Sequence, residues 1–340
     1  MESDQARRLL AKYVPEIRLH SRERYFPTNA ETFLDVAGLL KLTPRRKPES
    51  GGPPMREALF ESGELNRENL MAAATGAAEA PQGDKHELQL VLHERHRTRA
   101  ALEALPDVPI YGHVREVRLL DENGEPRGEL VALEVVYAFF FMFNGNLRAA
   151  KVVPVGSHTA DWEHLTMRLD PTGEHLQGIY YSAHRTIDGD WVPASKIPMS
   201  KGRPVAYCAL NGHGCFPKPG IQPRIFFLVN DRCDGKGPVW RPQKVVLLGS
   251  LPPKADPVAS RGSALPKNQR LAAARGSTDD TDEAVEIDEN VPYWVDFDEW
   301  WGTVRNPCHQ KWFKKAENPV SRGWFRRVFF PTCFDPPEAI

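Results

Sequence analysis

The alternation of apolar and polar positions changes character along the chain, and the changes mark its elements. VVYAFFFMF (135–143) is apolar at all nine positions, which fits a strand buried on both faces that ends at the turn formers Asn144-Gly145. Upstream lies a second β-prone run, VREVRLL, and the DENGEPRG between the two is dense in turn residues. The pair therefore predicts a hairpin over 114–145. HLTMRLD, LQGIYYSAH, PVAYCAL, RIFFLV and KVVLLG follow as short runs bounded by Gly, Pro or Asp, the spacing of a sandwich. Near the start, YVPEIRLHSRERYFPTNAETFL (13–34) opens with an alternation that suits a strand and then meets a proline turn.

Two stretches lack such periodicity. Residues 43–86 hold PRRKPESGGPP and AAATGAAEAPQGDK, and 252–291 run from PPKADPVASRG to STDDTDEAVEIDEN. Both read as flexible insertions. HELQLVLHERHRTRAALEAL (86–105) predicts a helix, with His86, His93 and His96 on a solvated, mixed-charge face. The fold class that follows is mainly β, an antiparallel β-sandwich with helical or disordered insertions, and residues 1–340 read as one domain.

Composition narrows the partners. A net charge of -1 and 41% hydrophobic residues over 340 positions give no global field for nucleic acid or membrane. The 30 prolines and 25 glycines favour short strands and turns. Five cysteines without a CxxC pair argue against a disulfide framework or zinc ribbon. The opening MESDQARRLL has no apolar signal-peptide core, and no run spans a bilayer. A cytoplasmic protein, peripheral on membranes at most, is the expectation. No Rossmann fingerprint, Walker loop or GxSxG elbow is present.

Candidate chemistry is concentrated in GSHTADWEHLTMRLD (156–170). In a strand, Asp161, Glu163, Leu165, Met167 and Leu169 share one face, and Trp162, His164, Thr166 and Arg168 share the other. If the first row faces the core, two carboxylates end it, and burying them unpaired costs several kcal/mol or more. A cation is required: Arg, Lys or a divalent metal. His158 can fold back from the Thr159-Ala160 turn, and Asn144 can add an oxygen. His158, Asp161, Glu163 and Asn144 form a mixed nitrogen and oxygen set for Mg²⁺, Ca²⁺ or Mn²⁺, with Zn²⁺ as the fourth candidate. His184 and His213 end neighbouring strands and would be the acid/base groups of an enzyme. Against the metal stands a plain salt-bridged strand. Trp162 reads as a core aromatic and Cys215 as an inert thiol.

GSHTADWEH, IYYSAH, GRPVAYCALNGHGCFPKPG and KGPVWRP resemble the vacuolar protein sorting-associated protein 62 family, as do the opening YVPEIRLHSRERYFPTN and the closing GTVRNPCHQKWFKKAENPVSRGWF. Ala160 stands where that family usually has glycine, and NGHGCF replaces a GSHA-type stretch. The same segment is more distantly similar to the necrosis- and ethylene-inducing-peptide-like proteins, secreted cytolysins whose GHRHDWE motif supplies cation ligands from a β-sandwich. His158, Asp161 and Glu163 match those ligand positions, and Asn144 falls where a further acid is expected. The resemblance implies a metal-binding module of endomembrane sorting that recognises a polar headgroup or glycan. The alternatives are a metal-dependent hydrolase or lyase in the same cleft, and a membrane-active protein. Lys311, Lys314, Lys315, Arg322, Arg326 and Arg327 interleave with aromatics near the C-terminus, a pattern for anionic lipid rather than nucleic acid.

Overall fold

The computed structural model describes residues 3–43, 55–82, 84–93, 96, 105–145, 147–149, 153–155, 158–183, 189–223, 230–249, 253–255, 284–297 and 300–302. Its centre is a nine-stranded sheet whose main path runs Asp190–Pro193, Leu176–Tyr181, His158–Leu169, Leu130–Asn144, Ile110–Arg118, Lys244–Leu247 and Glu286–Asp288. The first five of these pair antiparallel, while Lys244–Leu247 and Glu286–Asp288 add in parallel at one edge. The protein is thus mainly β, with mixed sheets around an antiparallel heart.

The nine-residue apolar run explains why this sheet lies in the middle. Leu130–Asn144 is hydrogen-bonded on both sides, to Ile110–Arg118 and to His158–Leu169. Leu133, Val135, Tyr137, Phe139 and Phe141 enter one core, and Val136, Ala138 and Phe140 enter the other. The period of two places successive side chains on opposite faces, so both faces are covered. One cover is a smaller sheet containing Glu16–Arg18, Arg203–Cys208 and Val239–Trp240, together with helix α1 (Ser3–Lys12), which buries Leu9 and Leu10. The other is a four-stranded sheet of Ala37–Thr43, Met55–Phe60, Glu87–Leu92 and Trp300–Trp301, with helices α2 (Ala30–Val36) and α3 (Arg67–Glu79).

The second cover revises the expectations for 43–105. Within 43–86, Met55–Phe60 pairs with Ala37–Thr43, and α3 starts at a capping box in which Asn66 and Asn69 bond each other's backbone N–H groups. Leu65, Leu70 and Ala77 from this region are core residues. Small residues there reflect a helix packed closely on a sheet, and residues 44–54 lie outside the described set. Where a helix was expected over 86–105, Glu87–Leu92 is a strand, because Leu88, Leu90 and Leu92 all enter the core at period two. The second insertion is described only near its ends, where Lys254–Ala255 and Glu286–Asp288 join the central sheet.

An aromatic cluster fills the second core. Phe140 meets Phe33, Trp162 and Trp301 with ring centroids 4.8–5.7 Å apart. Such pairs add to the burial energy of each ring. Phe140→Ala should therefore lower the unfolding free energy by about 3–5 kcal/mol, read from denaturant titration. A loss below about 1 kcal/mol would show that this core is not the packed centre described.

Candidate functional site

The site forms where the doubly buried strand pair runs out. His158 pairs with Asn144, and Asp161 lies opposite Phe141. The Asp161 and Glu163 row continues through Leu165, Met167 and Leu169 into the first core, while Trp162 lies in the aromatic core with Ala160. Ala160 is left-handed, with φ 58, a conformation that glycine adopts with least strain.

His213 supplies the cation that the buried acids need. It sits in the Ala209–Gly214 loop, fully buried, with its ring stacked on Phe141 at 3.7 Å and 3°. Nδ1 donates to Asp161 Oδ2 at 2.8 Å, and Nε2 lies 3.7 Å from Glu23 Oε1. Burial alone would lower the imidazole pKa, but hydrogen bonding and charge from Asp161 and Glu23 raise it to about 10. Glu23 is the converse. Burial pushes its carboxyl up, yet His213 and the N–H groups of Tyr25 and Asn211 bring it down to about 2. Burial and then the Asp161 charge push Glu163 well above the ordinary carboxylate range, and it accepts the Ser182 hydroxyl at 3.0 Å. Of the two acids on this face, Glu163 is thus the one that its surroundings push towards the neutral form. Two carboxylates around one imidazolium leave one negative charge at the strand end.

His158 faces that charge. Its Nδ1 lies 3.2 Å from Ala160 O and 3.4 Å from Thr159 O, so Nδ1 carries a proton. Nε2 is 3.5 Å from Asp161 Oδ1. In a neutral ring this directs a lone pair at a carboxylate oxygen, an arrangement that a proton or a cation between them resolves. Asn144 Nδ2 donates to Asp161 Oδ2 at 3.3 Å, and its Oδ1 is buried without a hydrogen bond.

The structure thus brings His158, Asp161, Asn144 and His213 together, with Glu163 on the same face one pleat deeper. Among the described residues no three His, Cys, Asp or Glu side chains form a metal-holding group by themselves. His184 and the basic residues Lys311, Lys314, Lys315, Arg322, Arg326 and Arg327 lie outside the described residues. Sequence reading missed Glu23 and Ser182. In SRERYFP the acid sits between two arginines and looks solvated, and its partner Asn211 is 188 positions away.

The segment from Leu130–Asn144 through Cys215–Phe216 carries every site residue except Glu23. Residues 127–224 match the family model for vacuolar protein sorting-associated protein 62. The match spans well under half of the chain, and it covers both the central strand pair and the His213 loop. No curated protein matches the chain. A solved chain described as "NLPPya in complex with mannosamine" superposes with a TM-score of 0.32 at 11% identity, covering 72% of this chain and 74% of that one. No helix among the described residues is long and apolar enough to cross a membrane.

The opposed shifts of His213 and Glu23 predict a pH profile. His213 is raised, so its contribution is complete below its ordinary 6.5 and is lost as pH rises towards about 10. Glu23 is depressed, so its contribution holds above 4.5 and is lost as pH falls towards about 2. His213→Asn, a residue that tolerates φ 53, should cost about 3–5 kcal/mol at neutral pH by stranding the two carboxylates. It should also remove the wild-type decline between pH 6.5 and 10. A wild-type minus variant difference that stays constant across that window would contradict the ion-pair assignment.

Proposed function

We propose that this chain is a divalent-cation-binding β-sandwich module that recognises a polar headgroup or glycan and serves vacuolar or endomembrane sorting. The sorting role rests on the family model matched by residues 127–224. One observation carries the cation: His158 directs Nδ1 to backbone carbonyls and Nε2 to Asp161 Oδ1 at 3.5 Å. A metal-bound imidazole is held in the same way, its other nitrogen donating to a carbonyl. Two donors about 2.1 Å from a four-coordinate ion stand about 3.4 Å apart, close to the separation found here. The buried, unsatisfied Asn144 Oδ1 is a fitting third donor.

A cation at this point would also neutralise the negative charge left over by His213. Burial would still push the Glu163 carboxyl up, but compensating the Asp161 charge would relieve the second cause of that shift and favour Glu163 as a fourth donor. Mg²⁺, Ca²⁺ and Mn²⁺ suit the oxygen-rich set, and Zn²⁺ suits the imidazole and carboxylate pair. Three or four protein donors leave coordination positions for the phosphate or hydroxyl oxygens of a headgroup or glycan. His213 enters this account as a charge-balancing group rather than a general base, since each of its two ring nitrogens faces a carboxylate. Lys311, Lys314, Lys315, Arg322, Arg326 and Arg327 would add attraction to an anionic lipid surface.

Elemental analysis of protein purified without chelator should find about one equivalent of a divalent ion per chain. His158→Ala, which leaves the Asp161, His213 and Glu23 chain intact, should weaken that ion's binding at least about tenfold. A wild-type protein that holds no ion, and whose melting is unchanged by chelator or by added Mg²⁺, Ca²⁺, Mn²⁺ or Zn²⁺, would rule the reading out.

A further inference from the structure

The loop that delivers His213 has an unusual neck. Cys208 closes the Arg203–Cys208 strand, Cys215 opens Cys215–Phe216, and the two face each other directly across the antiparallel ladder. Cys215 N donates to Ser182 O at 2.8 Å and not across to Cys208, while Ala209 N donates to Gly214 O at 3.0 Å. The cysteines therefore occupy a non-hydrogen-bonded pair. In such pairs the Cα atoms lie roughly 4.5 Å apart, inside the roughly 4.4–6.8 Å window that a disulfide spans. Both cysteines are buried and both are free thiols.

The six residues between them carry much of the site. Asn211 and His213 are left-handed, with φ 66 and 53. Non-glycine residues persist there only when their surroundings hold them. The holding contacts are those of His213 to Asp161 and Glu23, of Asn211 N to Glu23 at 2.7 Å, and of Gly145 N to Asn211 O at 2.8 Å.

We propose that Cys208 and Cys215 are an oxidisable pair whose disulfide closes the neck of the Ala209–Gly214 loop and fixes His213 against Asp161 and Glu23. The oxidant is a low-molecular-weight disulfide such as oxidised glutathione. One cysteine thiolate attacks a sulfur of that disulfide, and a thiol leaves with the electron pair and takes up a proton. The second cysteine thiolate then attacks the protein sulfur of the mixed disulfide and releases the second thiol. Two protein S–H bonds become one S–S bond, and the reagent is reduced to two thiols. Both cysteines are buried, so exchange requires the loop to open. The His213 ion pairs gate that opening, and oxidation once complete holds the loop shut.

The test uses the full chain with Cys308→Ser and Cys333→Ser, exposed to oxidised glutathione, quenched by alkylation and mapped by peptide mass. Cys208 and Cys215 are expected to be recovered linked to each other, unalkylated until reduced by dithiothreitol. His213→Asn in the same background should form the link at least about tenfold faster, and the linked protein should melt about 5 °C higher than the reduced one. Recovery of both as alkylated thiols, linkage of either to Cys233, or an unchanged rate in His213→Asn would overturn the proposal. Metal content, measured separately, reports on the cation site whichever way the thiols behave.

Discussion

An acid buried as its anion requires a positive charge delivered by the same fold, and the way this chain meets that requirement determines its candidate site. Glu134 is paired with Arg115, and Glu16 with both Arg18 and Arg241, the last at 2.6 Å. Arginine brings a permanent charge and several donors. Asp161 and Glu23 are instead bridged by an imidazole, which is flat enough to lie 3.7 Å above Phe141 and is charged only because the carboxylates make it so. One imidazolium between two carboxylates balances them incompletely. The residual negative charge lies beside His158, whereas arginine guanidinium groups cover the charges of Glu16 and Glu134 directly.

The same requirement ties the site to the core. Leu130–Asn144 can be apolar on both faces only because two separate layers cover it, and Phe141 serves both as a core residue and as the surface on which His213 lies. Beyond Phe143 the chain changes from core strand to polar turn within two residues. Gly145 makes that change feasible, since a Cβ there would lie 2.6 Å from the Tyr25 ring and 2.9 Å from Asn211. The 20–25 segment and the 209–214 loop thus close on the strand end together. Loosening either one exposes a buried charge, so the site and the stability of this end of the sandwich are one quantity.

What was legible in the sequence follows the range of the interactions. The unbroken apolar run at 135–143 and the period of two at 161–169 marked the central strands and put Asp161 and Glu163 on one row with Leu165, Met167 and Leu169, because these depend only on neighbours along the chain. The DENGEPRG turn fixed the hairpin for the same reason. The strand at Glu87–Leu92 was misread as a helix, since its polar neighbours were read as one continuous mixed-charge face, whereas only Leu88, Leu90 and Leu92 enter the core. Glu23 was invisible because nothing local distinguishes an acid between arginines from a solvated one, and its burial is decided by a loop nearly two hundred residues away. The need for a cation was derivable. Its identity as His213 depended on tertiary packing.

Nitrogen NMR of the imidazole side chains at pH 7, with and without an added divalent ion, tests the central claim most directly. The account predicts that His213 is protonated on both nitrogens in either condition. It also predicts that His158 holds its neutral-state proton on Nδ1 and that its Nε2 resonance moves when the ion is added. A neutral His213, or a His158 whose Nε2 stays protonated and unmoved by every ion tried, would contradict it.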